Sequence, residues 1–134
     1  MDAAQLGSRG GRFLRQVGRS PARVRLVRND LRRWLEQAGL PAEGVNEVIL
    51  ACSEACANAV EHPLQSERQL VEVEAALNGR ELELRVRDFG TWKEQPASPT
   101  HGRGLNIIRN LMDSLDVRRT AHGTELVMRR TFSS

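Results

Sequence analysis

One stretch of the chain, VNEVILACSEACANAVEH from Val45 to His62, aligns polar groups along one side of a predicted helix. At about 100° per residue, its apolar side chains gather on one arc and its polar side chains form a narrow stripe opposite. Ala51 lies inside that stripe, and its small methyl group leaves room for a ligand on the helix. An ordinary amphipathic helix with a solvated acidic face is the simpler interpretation of this segment alone. The stripe consists of Glu47, Glu54, Asn58 and Glu61, with His62 at its edge.

A second segment, HGRGL, contains Gly102, Arg103 and Gly104 immediately before a predicted helix. Glycines at such a position let backbone N–H groups approach an anion that the helix N-terminus already favours. A phosphate is the expected ligand of this arrangement. The same glycines would equally suit a tight turn with no ligand.

A third segment, DFG, places Asp88 at the end of a predicted strand, followed by an aromatic residue and Gly90. A carboxylate accepts hydrogen bonds, and the glycine allows close approach, so the pair suits an exocyclic amine such as that of adenine. An aspartate that caps a turn is the alternative interpretation.

The elements that must position these groups follow from hydrophobic periodicity and turn residues. Ser20-Pro21 predicts a helix start, Gly39 a helix end, and His62-Pro63 the end of the central helix. Asn78-Gly79 predicts a hairpin between two alternating strands. The predicted strands are 12–17, 70–77, 81–87, 115–120 and 124–131, and the predicted helices are 20–38, 45–62 and 105–115. We expect an α/β two-layer sandwich, with a mixed, mostly antiparallel sheet of four to five strands and helices on one face.

Length and composition indicate one soluble globular domain. The chain has 134 residues, 40% of them hydrophobic and 28% charged, which fits a flexible tail over residues 1–11 and one domain over residues 12–134. No apolar run approaches the ~20 residues that cross a bilayer, and the first residues do not resemble a secretory signal. We therefore expect a cytoplasmic protein with no membrane partner.

The charged residues are 20 basic and 17 acidic, and the basic excess lies largely in the arginines between Arg12 and Arg33. A nucleic-acid surface can carry such a stripe. Aromatic residues are only 4% of the chain and tyrosine is absent, so we expect no direct nucleic-acid binding and favour a protein-docking helix or a solvated face. Cys52 and Cys56 lie on the apolar arc and are expected to be small core residues.

The three segments and a fourth, taken in order, resemble the successive motifs of the GHKL-type ATP-binding fold. They are SEACANAVEH with Glu54, Asn58 and His62; DFG with Asp88 and Gly90; HGRGL with Gly102, Gly104 and Leu105; and GTEL with Gly123 and Thr124. The wider runs HGRGLNIIRNLMDSLDV and GTELVMRR are similar to the anti-sigma factor serine/threonine kinases of bacteria. A sensor histidine kinase shares the fold, but the chain is too short to include the helical hairpin that bears the phosphorylated histidine.

The resemblance implies ATP and Mg²⁺ as cofactors and assigns a role to each motif residue. Asn58 would be the Mg²⁺ ligand, and Glu54 the general base that takes the proton of the attacking serine. His62 would lie near the phosphates, although a histidine favoured by the helix dipole is as plausible. The remaining cofactor-binding residues would be Asp88 and Thr124 at the adenine, Gly90 beside them, Gly102, Arg103 and Gly104 at the phosphates, and Leu105.

The resemblance also implies partners: a sigma factor that the protein sequesters, an anti-anti-sigma protein that it phosphorylates on serine, and a second copy in a homodimer. Two departures from the family pattern concern catalysis. Trp92 stands where a second glycine is frequent, and the segment between Gly90 and Gly102 is brief for an ATP lid. A catalytically weak or inactive nucleotide-binding module that regulates its partner by occlusion is therefore the alternative. A basic DNA-binding regulator is a third hypothesis.

Overall fold

The computed structural model describes residues 10–61, 65–91, 99–120 and 123–133. These residues form five strands and three helices. In chain order they are β1 (Gly10–Gly18), α1 (Pro21–Gln37), α2 (Ala42–Glu61), β2 (Gln65–Asn78), β3 (Glu81–Thr91), α3 (Pro99–Leu111), β4 (Ser114–Thr120) and β5 (Gly123–Thr131).

The five strands form one sheet in the order β1-β2-β3-β5-β4. Each neighbouring pair in this sheet is antiparallel, so the expected mixture of directions is wrong for the described strands. The predicted two-layer architecture and the strand number are confirmed. The first strand, β1, lies at one edge of the sheet.

The β2–β3 hairpin forms where Asn78-Gly79 predicted it. Asn78 pairs with Glu81, so the two loop residues are Gly79 and Arg80. Gly79 has φ of 63°, and no non-glycine residue of the described chain has positive φ. A positive φ at only the first loop residue is typical of a type II′ turn, which prefers glycine there.

The core lies between one face of the sheet and the three helices. Strand alternation sends Val71, Val73 and Ala75 inward as predicted, and each is fully buried. The partner strand contributes Leu82, Leu84 and Val86 to the same cluster. Cys52 and Cys56 are buried free thiols with their sulfurs 3.9 Å apart, so the prediction that they are small core residues is confirmed.

Helix α1 begins as the sequence predicts. The Ser20 hydroxyl accepts a hydrogen bond from the Arg23 N–H at 3.2 Å, and Pro21 takes the first helical position, where its missing N–H costs nothing. Beyond the helix, Gly39 has φ of 78°, a conformation that glycine adopts without strain. The start and the end of this helix therefore rest on three residues that the sequence identifies.

Several boundaries differ from the predicted ones. Helix α3 begins at Pro99 rather than near Leu105, and β2 begins at Gln65, within the segment expected to be a loop. Strand β1 includes Gly10 and Gly11, which the sequence assigned to the flexible tail; residues 1–9 lie outside the described chain. Among the helices described, none combines the length and the apolarity needed to span a bilayer.

Candidate functional site

The predicted polar stripe of α2 faces α3. Glu54 and Asn58, one turn apart and both partly exposed, lie against the buried Gly104. A methyl group built on Gly104 would stand 3.4 Å from Glu54 Oε2 and 3.6 Å from Asn58 Oδ1. The structure therefore joins two of the sequence motifs, SEACANAVEH and HGRGL, at the point where two helices meet.

Ala51 is fully buried on α2, which corrects the expectation that its methyl group would form part of an open ligand floor. Because Gly104 has no side chain, the backbone of α3 can pack closely against Glu54 and Asn58 of α2. The partly exposed members of the stripe in the described chain are Glu47, Glu54 and Asn58.

The amide of Asn58 is chemically unsatisfied in this structure. Its Nδ2 atom is buried and has no hydrogen-bond partner within the described chain. A buried amide nitrogen without a partner carries a desolvation cost of roughly 1–3 kcal/mol. Since native structures rarely leave such a cost unmatched, the amide is a candidate ligand-binding group.

Asp88 and Thr124 form a second buried polar pair. Each is 7% exposed, and the Thr124 N–H donates to Asp88 Oδ1 at 3.1 Å. The pair sits just beyond the last β3–β5 partners, Arg87 and Glu125. Strand β3 continues to Thr91, so Asp88 does not end its strand as predicted. The Thr124 hydroxyl oxygen is buried without a hydrogen-bond partner in the described chain.

Gly123 makes the Asp88–Thr124 pairing possible, and the sequence assigned it no role beyond its motif. Its φ is 146°, and a Cβ there would lie 2.0 Å from the Asp88 backbone oxygen. No other residue type fits at this position without moving a strand. The GTEL motif therefore needs its glycine for the close approach of β5 to β3.

The predicted phosphate loop at Gly102, Arg103 and Gly104 is wrong in its local structure. These residues lie inside α3, because the helix starts at Pro99. The backbone N–H groups that a helix leaves free are its first four, so Gly104 lies past the anion-favouring end. The role of Gly104 in this structure is to let α3 approach Glu54 and Asn58.

The other predicted site residues have varied outcomes. Leu105 is partly buried and packs against the core cluster. Gly90 pairs with Ser66 within the sheet, next to an irregularity in the β2–β3 register. His62, Trp92 and most of the predicted lid between Gly90 and Gly102, namely residues 92–98, lie outside the described residues.

An ion network on the outer sheet face lies directly behind the Asp88–Thr124 pair, and sequence reasoning did not find it. Arg87 donates to Glu125 and, at 2.5 Å, to Glu72, and it lies 3.4 Å from Glu74. The hydrogen bonds that Arg87 donates to Glu125 and Glu72 raise the pKa of its guanidinium. The sequence pattern that could have predicted this network is the presence of opposite charges at alternate outward positions of β2, β3 and β5. The network fixes β3 and β5 in the register that brings Asp88 to Thr124.

A family model described as a histidine kinase-like ATPase domain matches residues 18–130. An anti-sigma F factor of Clostridium kluyveri is 29% identical, with 75% of this chain and 80% of the relative covered. An anti-sigma F factor of Clostridium acetobutylicum is 26% identical, with 68% of this chain and 73% of the relative covered.

Two solved structures are similar in fold. One contains the RsbU and RsbW domains of a Mycobacterium tuberculosis protein; it superposes with a TM-score of 0.76 at 25% identity and covers 92% of this chain. This chain spans only 33% of that protein. The other is the histidine kinase domain of a blue-light activated histidine kinase from Erythrobacter litoralis, with a TM-score of 0.53, 20% identity, and 83% of this chain and 60% of that chain covered. That second likeness concerns the fold alone.

Proposed function

Because the chain belongs to the family of histidine kinase-like ATPase domains, we propose that it is an ATP-dependent serine protein kinase that acts as an anti-sigma factor. It sequesters a sigma factor and phosphorylates an anti-anti-sigma protein on serine, in the cytoplasm and as a homodimer. The resemblance drawn from the spaced motifs is confirmed at the level of the family. The names of the two clostridial relatives, both anti-sigma F factors, support the anti-sigma part of the proposal.

The observation that carries the proposal is the position of Glu54 and Asn58 on successive turns of α2, both directed at Gly104 of α3. A carboxylate and an amide side by side provide a proton acceptor and an oxygen ligand for a hard cation. Phosphoryl transfer needs mainly positioning and charge stabilisation. The two side chains supply groups suited to both.

The residues present fit Mg²⁺ and ATP. Mg²⁺ prefers oxygen ligands and is usually held by one or two side chains together with substrate phosphates. Asn58 offers such an oxygen, and the described chain holds no group of three His, Cys, Asp or Glu residues that would bind a metal by itself. At the adenine end, Asp88 offers an acceptor, and the Thr124 hydroxyl is buried without a partner in the described residues.

Bound MgATP would supply the phosphoryl group and neutralise the charge that develops during its transfer. Asn58 would hold the ion through its amide oxygen. Glu54 would accept the proton of the substrate serine, whose oxygen then bonds to the γ-phosphorus while ADP leaves. Asp88 would accept a hydrogen bond from the adenine amine, and His62 would lie near the phosphates.

A second candidate is a nucleotide-binding module that acts by occluding its partner without transferring phosphate. The close packing of α3 on Glu54 at Gly104 favours it, because α3 then covers one side of the proposed base. Incubation with γ-labelled ATP and a candidate anti-anti-sigma protein separates the two. Label on the substrate serine supports the kinase, whereas nucleotide binding without label on the substrate supports the module and contradicts the kinase.

A further inference from the structure

Arg130 links three elements at the end of the α2–α3 crossing that lies away from Glu54. It sits on β5, and its register partner Leu82 belongs to the buried core, so the arginine projects towards the helices. Its Nη1 donates to Glu47 Oε2 at 3.0 Å and to the Leu111 carbonyl at 2.6 Å. Its side chain is only 18% exposed. One guanidinium thus joins β5, the first half of α2 and the last residue of α3.

The position of this link relative to the site is set by helix geometry. Glu47 precedes Glu54 by seven residues on α2, and Leu111 follows Gly104 by seven residues on α3. Seven residues are two turns, about 10.5 Å along a helix. The two helices are therefore joined at two levels. Gly104 lies against Glu54, and about two turns away Arg130 bridges Glu47 and Leu111.

The segment that follows α3 is also tied to β5, through the backbone and the side chain of Asp113. The Asp113 N–H donates to the Arg129 carbonyl at 2.7 Å, and the Thr131 N–H donates to Asp113 Oδ2 at 2.7 Å. The carbonyls of a helix C-terminus lack partners within the helix and favour a cation, which is what Arg130 provides at Leu111. Arg130 is the group among these contacts that also reaches α2.

We infer that Arg130 is a positioning residue for the nucleotide site. By holding the end of α3 against Glu47, it sets the distance between Gly104 and the Glu54–Asn58 pair two turns away. It touches neither nucleotide nor substrate, and it acts through α3. This inference rests on the proposed function only in naming what the site binds.

The test compares Arg130→Met and Arg130→Lys with Arg129→Met. Arg129 is the next residue, its side chain is 47% exposed on the outer sheet face, and it pairs with Glu83 at 3.5 Å; its substitution removes the same charge away from the helices. KM for ATP and kcat are measured well below the melting temperature of each variant. We expect KM to rise about tenfold in Arg130→Met, with a smaller change in kcat, an intermediate KM in Arg130→Lys and an unchanged KM in Arg129→Met.

A role confined to stability would lower the melting temperature of Arg130→Met and leave KM unchanged, and that result overturns the inference. Glu47→Gln keeps the arginine and weakens its ion pair, so it serves as the second variant if Arg130→Met does not fold, and its KM should also rise. Amide hydrogen exchange without nucleotide provides a readout independent of kinase activity. Faster exchange that extends from Leu111 to Gly104 supports the inference even if the protein binds no ATP, and faster exchange confined to Leu111 and Met112 contradicts it.

Discussion

The Thr124 backbone N–H donates to the Asp88 carboxylate across 3.1 Å, while the hydroxyl of the same threonine is buried without a hydrogen-bond partner in the described chain. The backbone bond orients the carboxylate. The unsatisfied hydroxyl carries a cost that a ligand at this position would remove. One residue therefore contributes to the fold and to the proposed adenine site in separable ways.

Thr124→Val tests that separation. Valine has nearly the shape of threonine and removes the unsatisfied hydroxyl, so the nucleotide-free protein should become more stable by about 1 kcal/mol. The affinity for ATP should fall by about tenfold, because the hydrogen bond to the nucleotide is lost. Chemical denaturation and calorimetry measure the two effects. A variant that is less stable, or that binds ATP as tightly as the wild type, would contradict the assignment.

Glu54→Gln should leave ATP binding within twofold of the wild type and slow phosphoryl transfer by about 10²–10⁴-fold. Glutamine keeps the shape of the side chain but cannot accept the serine proton. Single-turnover transfer of label to the substrate measures the effect. The matched control is Glu43→Gln, in the exposed first turn of the same helix, which should transfer at the wild-type rate. Equal rates in the two variants would remove Glu54 from the mechanism.

Gly123→Ala should destabilise the protein by more than about 3 kcal/mol, because strained φ and the contact with the Asp88 backbone add. Gly39→Ala is the matched control, since Gly39 also has positive φ but a methyl group built on it would meet no atom within 4 Å. Gly39→Ala should lower the free energy of unfolding only by the ~1–2 kcal/mol that a left-handed backbone costs a non-glycine residue. Denaturant unfolding gives both values. Similar losses in the two variants would show that the clash at Gly123 relaxes.

The stability of the protein should fall as the pH rises above about 8.5, the ordinary pKa of a thiol. The hydrogen bond with Cys56, together with burial, raises the pKa of Cys52 well above its ordinary value in the folded state. The folded protein then keeps the Cys52 proton at pH values where the unfolded chain loses it. The stability that Cys52 contributes in this way is fully present below the pKa of its thiol in the unfolded chain. Above that pKa it is lost at up to about 1.4 kcal/mol per pH unit.

Cys52→Ala provides the comparison for that prediction. The variant should be less stable at neutral pH because a buried side chain is shortened. Its stability should nevertheless decline less steeply between pH 8.5 and 10 than that of the wild type. Unfolding free energies at four pH values across this range decide the matter. Parallel declines would show that Cys52 titrates alike in both states.

Local signals in the sequence predicted much of the fold. Ser20-Pro21, Asn78-Gly79 and the strand alternation each act over a few residues, and the structure has the elements they indicate. The same Ser-Pro pair recurs at Ser98-Pro99 and was the available signal for the start of α3. The predicted helix start was instead placed after Gly102 and Gly104, because glycine lowers helix propensity by about 1 kcal/mol per residue.

Other features depend on contacts between distant parts of the chain. Arg130 and Glu47 are 83 residues apart, and an arginine on the inner face of a strand contradicts the alternation from which faces are predicted. Ala51 shared the polar stripe in sequence, but the structure buries it in the core cluster. Tertiary packing decides both cases, and no local pattern carries that information.

Calorimetric titration of the folded protein with MgATP tests the central claim most directly, with Asn58→Ala as the site variant. The control, Asn46→Ala, changes an exposed asparagine of the same helix that contacts Arg32. We predict one binding site in the wild type and in Asn46→Ala, and loss of binding in Asn58→Ala. No binding heat in the well-folded wild type at several temperatures, or equal affinity in Asn58→Ala, would contradict the account.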